Sequence, residues 1–359
     1  MASELTTKLR VGDHVTTQFS FILSTTTFAS SILAGVALAA SPLNSSPQAD
    51  DPIHTPAELV ESMHSAFGNN HGRAVFAKGV ILEGGFTPDI HARELTKASH
   101  LQGLPGKVVV RFSNFSGVPT IADNDPLANP HGMAIRFELP GGGTTDLIAH
   151  SFNGFPVSNT DEFRELMLAL AASGPCAPTP NALDRFLELH PTAKAFLVAQ
   201  KTPASFATIA YYGIGSFKFV NAKGDTHYVR YQLIPEAGEE LLTDQERESQ
   251  SANYLMDEIK SRVATAPIAF GLYAQVAERG DKIDDPSIAW PDNRKRVLLG
   301  RLQITKVIAN TVEEDRSLVF IPSNVPAGIE AADVMSSFYS KVFRLSAKGG
   351  REVVGIAGK

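Results

Sequence analysis

Cysteine is almost absent from this chain of 359 residues: Cys176 is the only one, so no intrachain disulfide can form and no cysteine-rich zinc or iron–sulfur site can be built. Tryptophan also occurs once, at Trp290. No run of lysines or arginines appears, and the formal net charge is -6, which leaves no electrostatic footprint for nucleic acid or an anionic membrane. No repeat with a period of about 20 to 50 residues is visible, which excludes solenoids and propellers. Formal charge is missing altogether between Val15 and Gln48, a stretch rich in Ser, Thr and Ala. That stretch reads as a leader over residues 1–50, either a secretory signal or a disordered segment. Ala37-Leu38-Ala39 followed by Ala40 offers a small-residue cleavage site. Thr25 to Thr27 and Ser30 to Ser31 break the apolar run, which argues against a stable transmembrane helix. The chain is accordingly secreted or cytoplasmic, depending on how the leader is used.

What remains, residues 51–359, has the apolar content of a folded globular protein, with 43% hydrophobic residues over the whole chain. It reads as one domain. Thr55-Pro56-Ala57-Glu58 is a helix start, and Leu59, Met63 and Phe67 then share a helical face. Strand patterns follow at 79–83, 107–113, 133–139 and 146–152, separated by turn-rich pieces such as Pro140-Gly141-Gly142-Gly143. A helix is expected over 162–172 and a second over 181–200. The turn Asn221-Ala222-Lys223-Gly224-Asp225 joins 216–220 and 227–234 as a hairpin. Two more strands are expected at 268–277 and 298–308, and a final helix at 330–345. Strands spaced by turns, with long helical insertions, indicate an α+β antiparallel barrel or sandwich.

Several blocks then stand in order: Ala77-Lys78-Gly79; Val110-Arg111-Phe112-Ser113-Asn114-Phe115-Ser116-Gly117; Asn124-Asp125-Pro126 with Gly132-Met133-Ala134-Ile135; and Ala149 through Val157, reading AHSFNGFPV. Further on come Pro203 to Ala207, Arg230-Tyr231, Pro235 to Glu239, Trp290-Pro291-Asp292 and Gly328-Ile329-Glu330. From about residue 52 to 346 the chain resembles the catalase-related peroxidases, the short relatives of full-length catalases. The resemblance implies a catalase-like antiparallel eight-stranded β-barrel with associated helices. It also implies haem b buried between the barrel and a late helix.

The same resemblance exposes departures where haem chemistry is concentrated. Where the family carries a histidine that acts as acid and base on peroxide, this chain has Phe76, which can neither take nor give a proton. Ser113 matches the serine that bonds to that histidine. Arg73 and Arg111 match arginines on the haem side of the barrel, Arg73 resembling one that pairs with a propionate. The arginine expected before Gly132 is His131, whereas His150 is ordinary for the family. On the late helix the family uses an Arg-x-x-x-Tyr pair whose tyrosinate binds iron. One alignment places Tyr339 on the arginine and Phe343 on the tyrosine. The other makes Tyr339 the ligand and Met335 the arginine replacement.

Two outcomes remain open at this point. In the first, haem is retained with Tyr339 or a histidine on iron, the altered site acting on an organic peroxide. Alternatively the haem is lost, and an apolar pocket lined by Phe76, Ser113, Phe155 and Phe343 serves a hydrophobic small molecule, with Tyr339, His150 or His131 as the catalytic group. That second outcome covers a haem-free isomerase or cyclase and a non-catalytic binding protein. In both, the partner is an apolar small molecule, with self-association into a homo-oligomer also open.

Overall fold

A computed structural model of the chain describes residues 51–308, 314, 315 and 317–356. The chain divides into a unit of Met1–Gln48 and a unit of Ala49–Lys359. The first, and with it the leader expectation, lies outside the described residues.

Eight antiparallel strands close into a barrel. Running round it are β1 (Gly79–Pro88), β2 (Gly106–Ser113), β3 (Gly132–Glu138), β4 (Thr144–His150), β5 (Tyr211–Tyr212), β7 (Thr226–Pro235), β8 (Ile268–Val276) and β9 (Arg296–Val307), and β9 pairs back onto β1. Closure removes the unpaired edges that an open sheet would expose. A short β6 (Phe217–Val220) extends the sheet beside β7, and β10 (Ile329–Ala331) pairs with β6. The alternation along the strands explains the interior: Val108, Val110 and Phe112 on β2, and Met133, Ile135 and Phe137 on β3, all point into one apolar cluster. Each such side chain contributes about 1.5–3 kcal/mol by leaving water.

Eight helices surround this barrel among the described residues: α1 (Pro56–Phe67), α2 (Ala92–Leu95), α3 (Thr160–Ala171), α4 (Ala182–Leu189), α5 (Pro191–Val198), α6 (Asp244–Ser249), α7 (Tyr254–Thr265) and α8 (Val334–Ile356). None is long and apolar enough to cross a membrane. In α1 a Thr55–Glu58 capping box satisfies the first turn, and Leu59, Met63 and Phe67 are buried as their spacing requires. That face packs on α3 and α8, forming a second apolar cluster with Phe163, Leu166, Met167, Phe338 and Val342.

Two helix boundaries differ from expectation. The single helix anticipated over 181–200 is α4 and α5, broken at His190-Pro191. Proline has no N–H to continue the ladder and pushes the preceding residue out of the helical region, and His190 has φ -122° and ψ 76°. The last helix begins at Val334, because Ile329–Ala331 pairs with β6 as a strand.

Candidate functional site between the barrel and the last helix

Phe76 sits in the left-handed region with φ 56°, a conformation that costs a non-glycine residue of order 1 kcal/mol or more. Its backbone N–H donates to the Phe115 carbonyl at 2.7 Å, and its ring meets Phe115 edge-on with centroids 5.5 Å apart. The ring is seated on bare backbone. A Cβ at Gly132 would stand 2.9 Å from the Phe76 ring and 2.7 Å from Ser113 Oγ. Gly132→Ala is therefore expected to destabilise the fold by about 1–3 kcal/mol through overpacking, measurable by urea unfolding. An unchanged midpoint would mean that the Phe76 ring is free to move away.

Bordering the same apolar cluster, α8 presents Tyr339. Its ring lies 6.3 Å from Phe155, 6.2 Å from Phe163 and 5.5 Å from Phe343, centroid to centroid. The hydroxyl is shielded from solvent and has no hydrogen-bond partner among the described residues. Burial alone pushes this phenol well above its ordinary range, so it stays protonated. Phe76, Phe115, Phe155 and Tyr339 are all only partly buried, and all border the same apolar cluster of α1, α3 and α8. Of the expected lining residues, Phe155 and Phe343 lie against Tyr339, whereas Phe76 packs on Phe115 at the border of the same cluster.

His150 closes β4 on the other side of Phe155, with ring centroids 6.4 Å apart, and stacks with Phe196 of α5 at 6.2 Å. Burial lowers its imidazole to about 4, against a smaller opposing effect of a hydrogen bond to the Gly154 backbone. That hydrogen bond uses one ring nitrogen, and Nε2 is left without a partner. In the neutral ring Nε2 is then an acceptor.

His131 is held elsewhere. It faces Phe206 of the barrel core edge-on, with centroids 5.4 Å apart. Its Nδ1 lies 3.0 Å from Asn114 Oδ1, Asn114 Nδ2 donates to Asp123 at 2.7 Å, and Asp123 pairs with Lys78 at 2.7 Å. Asp123 also accepts from the Leu255 and Met256 N–H groups that open α7. This chain of bonds orients the Asn114 amide and so makes His131 Nδ1 the protonated nitrogen. Burial brings the ring down to about 3, and Nε2 has no partner. The relay was not foreseen, because Asn114, Asp123 and Lys78 are ordinary polar residues in sequence and meet only where β2, β3 and α7 converge.

Arg73 and Arg111, the two arginines that the resemblance assigns to the haem side of the barrel, converge on Asp315. Arg73 Nη1 and Arg111 Nη2 each reach Asp315 Oδ2 at 3.1 Å, and Arg111 Nε bonds Oδ1. Burial opposes ionisation of Asp315, but the charges of Arg111 and Arg73 outweigh it and hold the carboxyl below its ordinary range. Sequence reasoning missed Asp315 entirely: it is 204 residues from Arg111 in a segment with no periodic pattern.

These residues do not fit haem held in the family's manner. The oxygen donor that α8 offers has no cation one turn earlier to hold the charge of a tyrosinate, since position 335 is Met. The ring at position 76 can transfer no proton. The guanidinium groups that would pair with propionates are engaged by a carboxylate of the chain itself. The described residues also contain no cluster of three or more His, Cys, Asp or Glu able to hold a metal ion. What the arrangement does offer is an apolar, aromatic surround with a neutral hydroxyl donor at Tyr339 and a neutral acceptor at His150.

Comparison with known proteins places this geometry. The sequence model of the catalase family, described as "Catalase", matches residues 60–337. A catalase-related peroxidase of Mycolicibacterium paratuberculosis is 34% identical over 284 residues, covering 78% of this chain and 89% of the relative. Another, from Synechococcus elongatus, is 30% identical over 298 residues, covering 81% of this chain and 87% of the relative. Among solved structures, a bacterial catalase superposes with a TM-score of 0.67 at 18% identity, over 87% of this chain and 63% of that one. A fungal catalase gives 0.66, also at 18% identity, over 76% of this chain and 57% of that one. With a closed eight-stranded barrel, the ordered sequence blocks and a family match over most of its length, the chain belongs to the catalase family, among the catalase-related peroxidases.

Proposed function

We propose that this catalase-family chain acts on an apolar small molecule, an organic hydroperoxide or a secondary-metabolite-type substrate, and is not an efficient hydrogen peroxide dismutase. The observation that carries this reading is the Tyr339 hydroxyl, buried and unpartnered among Phe155, Phe163 and Phe343. An unmet donor in an apolar surround costs about 1–3 kcal/mol, a cost that a ligand oxygen would remove. In this reading Tyr339 donates to, or protonates, an oxygen of the ligand, and the aromatic rings exclude water and orient its apolar body. His150 Nε2 accepts a hydrogen bond from a ligand O–H or N–H. No group in this set performs the proton shuttle that peroxide heterolysis requires at position 76. The engaged arginines favour a haem-independent reaction, such as an isomerisation or cyclisation, or binding without turnover.

A second reading draws on the same hydroxyl, the oxygen donor that the last helix offers: an enzyme that retains haem on Tyr339 and turns over an organic peroxide. The ultraviolet–visible spectrum of protein expressed with haem precursor separates the two. No stoichiometric Soret band and background consumption of hydrogen peroxide are expected, and Phe76→His should then add no peroxidase activity. A stoichiometric band would support the second reading, in which Phe76→His should raise peroxidase activity about 10²-fold by restoring an acid–base group. Rapid dismutation of hydrogen peroxide by the unmodified protein would overturn both.

A further inference from the structure

The Arg73–Arg111 pair forms a built seat for a carboxylate. Arg111 is 3% exposed, and a guanidinium so placed requires a counter-charge. Room for it is made by Gly79, where a Cβ would stand 2.6 Å from both Arg111 Cζ and Nη2. Both oxygens of Asp315 are used, Oδ2 by the two arginines together and Oδ1 by Arg111 Nε. The surrounding donors are satisfied by carbonyls: Arg73 Nη2 donates to Asp315 O at 2.8 Å and Leu318 O at 2.6 Å, and Arg111 Nη2 to Ala77 O at 3.3 Å. The seat is thus planar-fork chemistry aimed at one carboxylate, and the chain supplies that carboxylate.

We propose that Asp315 fills this seat in place of a cofactor carboxylate, so that the native chain is closed to haem there, while a chain lacking the Asp315 side chain takes up a free monocarboxylate. The consequence for haem rests on the haem-independent reading above; the seat itself does not. Asp315→Ala is expected to lower Tm by about 5 °C or more, because the buried Arg111 guanidinium loses its counter-charge. Acetate or formate should recover at least half of that loss, acetamide should recover none, and the unmodified protein should respond to neither. If Asp315→Ala is not recovered folded, refolding yield from urea gives the same comparison: formate should raise it and formamide should not. Hemin, which carries two carboxylates, should raise the Tm of Asp315→Ala and leave that of the unmodified protein unchanged. A variant as stable as the parent, equal rescue by acetamide or formamide, or stabilisation of the unmodified protein by hemin would each overturn the proposal. Tyr339 is not part of the seat, so loss of the small-molecule reading would leave carboxylate rescue unchanged, and failed rescue would leave the Tyr339 site untouched.

Discussion

Lowering the pH from 6.5 to 5 is expected to remove roughly 4–6 kcal/mol of folding stability, a large part of what a domain possesses. The source is three buried imidazoles, His100, His131 and His150, which burial brings down to about 4, 3 and 4 from an ordinary 6.5. Each folded value lies below the unfolded one, so below pH 6.5 the unfolded chain binds the proton first. Stability is therefore complete above that point and falls by about 1.4 kcal/mol per histidine per pH unit until the folded value is reached. Asp333 works in the opposite direction: burial raises its carboxyl, so the folded state takes up that proton first and gains on acidification. Asp315, held low by its arginines, loses its contribution only in stronger acid, below the ordinary carboxylate value. Urea unfolding at half-unit pH intervals measures the slope, and His100→Gln should reduce it by about a third. A change below about 1 kcal/mol between pH 7 and 5 would mean that these imidazoles are hydrated or paired.

Removing one oxygen at Tyr339 should separate stability from function. In most buried tyrosines the change to Phe breaks a hydrogen bond and destabilises by about 0.5–1.5 kcal/mol. Here the hydroxyl has no partner to lose. Tyr339→Phe should leave the ligand-free protein as stable as the parent or up to about 1–2 kcal/mol more stable, since a desolvated donor disappears. Ligand affinity or turnover should fall by about 10- to 10²-fold, the worth of a buried hydrogen bond or a general acid. Thermal unfolding with and without an apolar hydroperoxide reads both quantities. A less stable variant would show that the hydroxyl is paired in the ligand-free state, and unchanged affinity and turnover would remove Tyr339 from the site.

Much of the fold is legible in the sequence because its signals are local. The Thr55–Glu58 capping box and the Leu59, Met63, Phe67 spacing specify α1 without reference to any other segment. The turn 221–225 likewise specifies the hairpin of β6 and β7. The break at His190-Pro191 was in principle readable, since Pro191 carries the local signal, yet the apolar periodicity ran on past it. The β-strand at 329–331 was not, because a three-residue strand exists only through its partner β6.

By itself, then, the sequence determined the class of fold and the order of most elements. These follow from short-range periodicity, turn chemistry and residue identity. Only the tertiary structure decided what the remaining polar groups do. Asp315 neutralises Arg73 and Arg111, Asn114 and Asp123 set the tautomer of His131, and the hydroxyl of Tyr339 is left without a partner. Each of these depends on which distant side chain burial brings within about 3 Å, and hydrogen bonding and desolvation at that range leave no trace in sequence spacing.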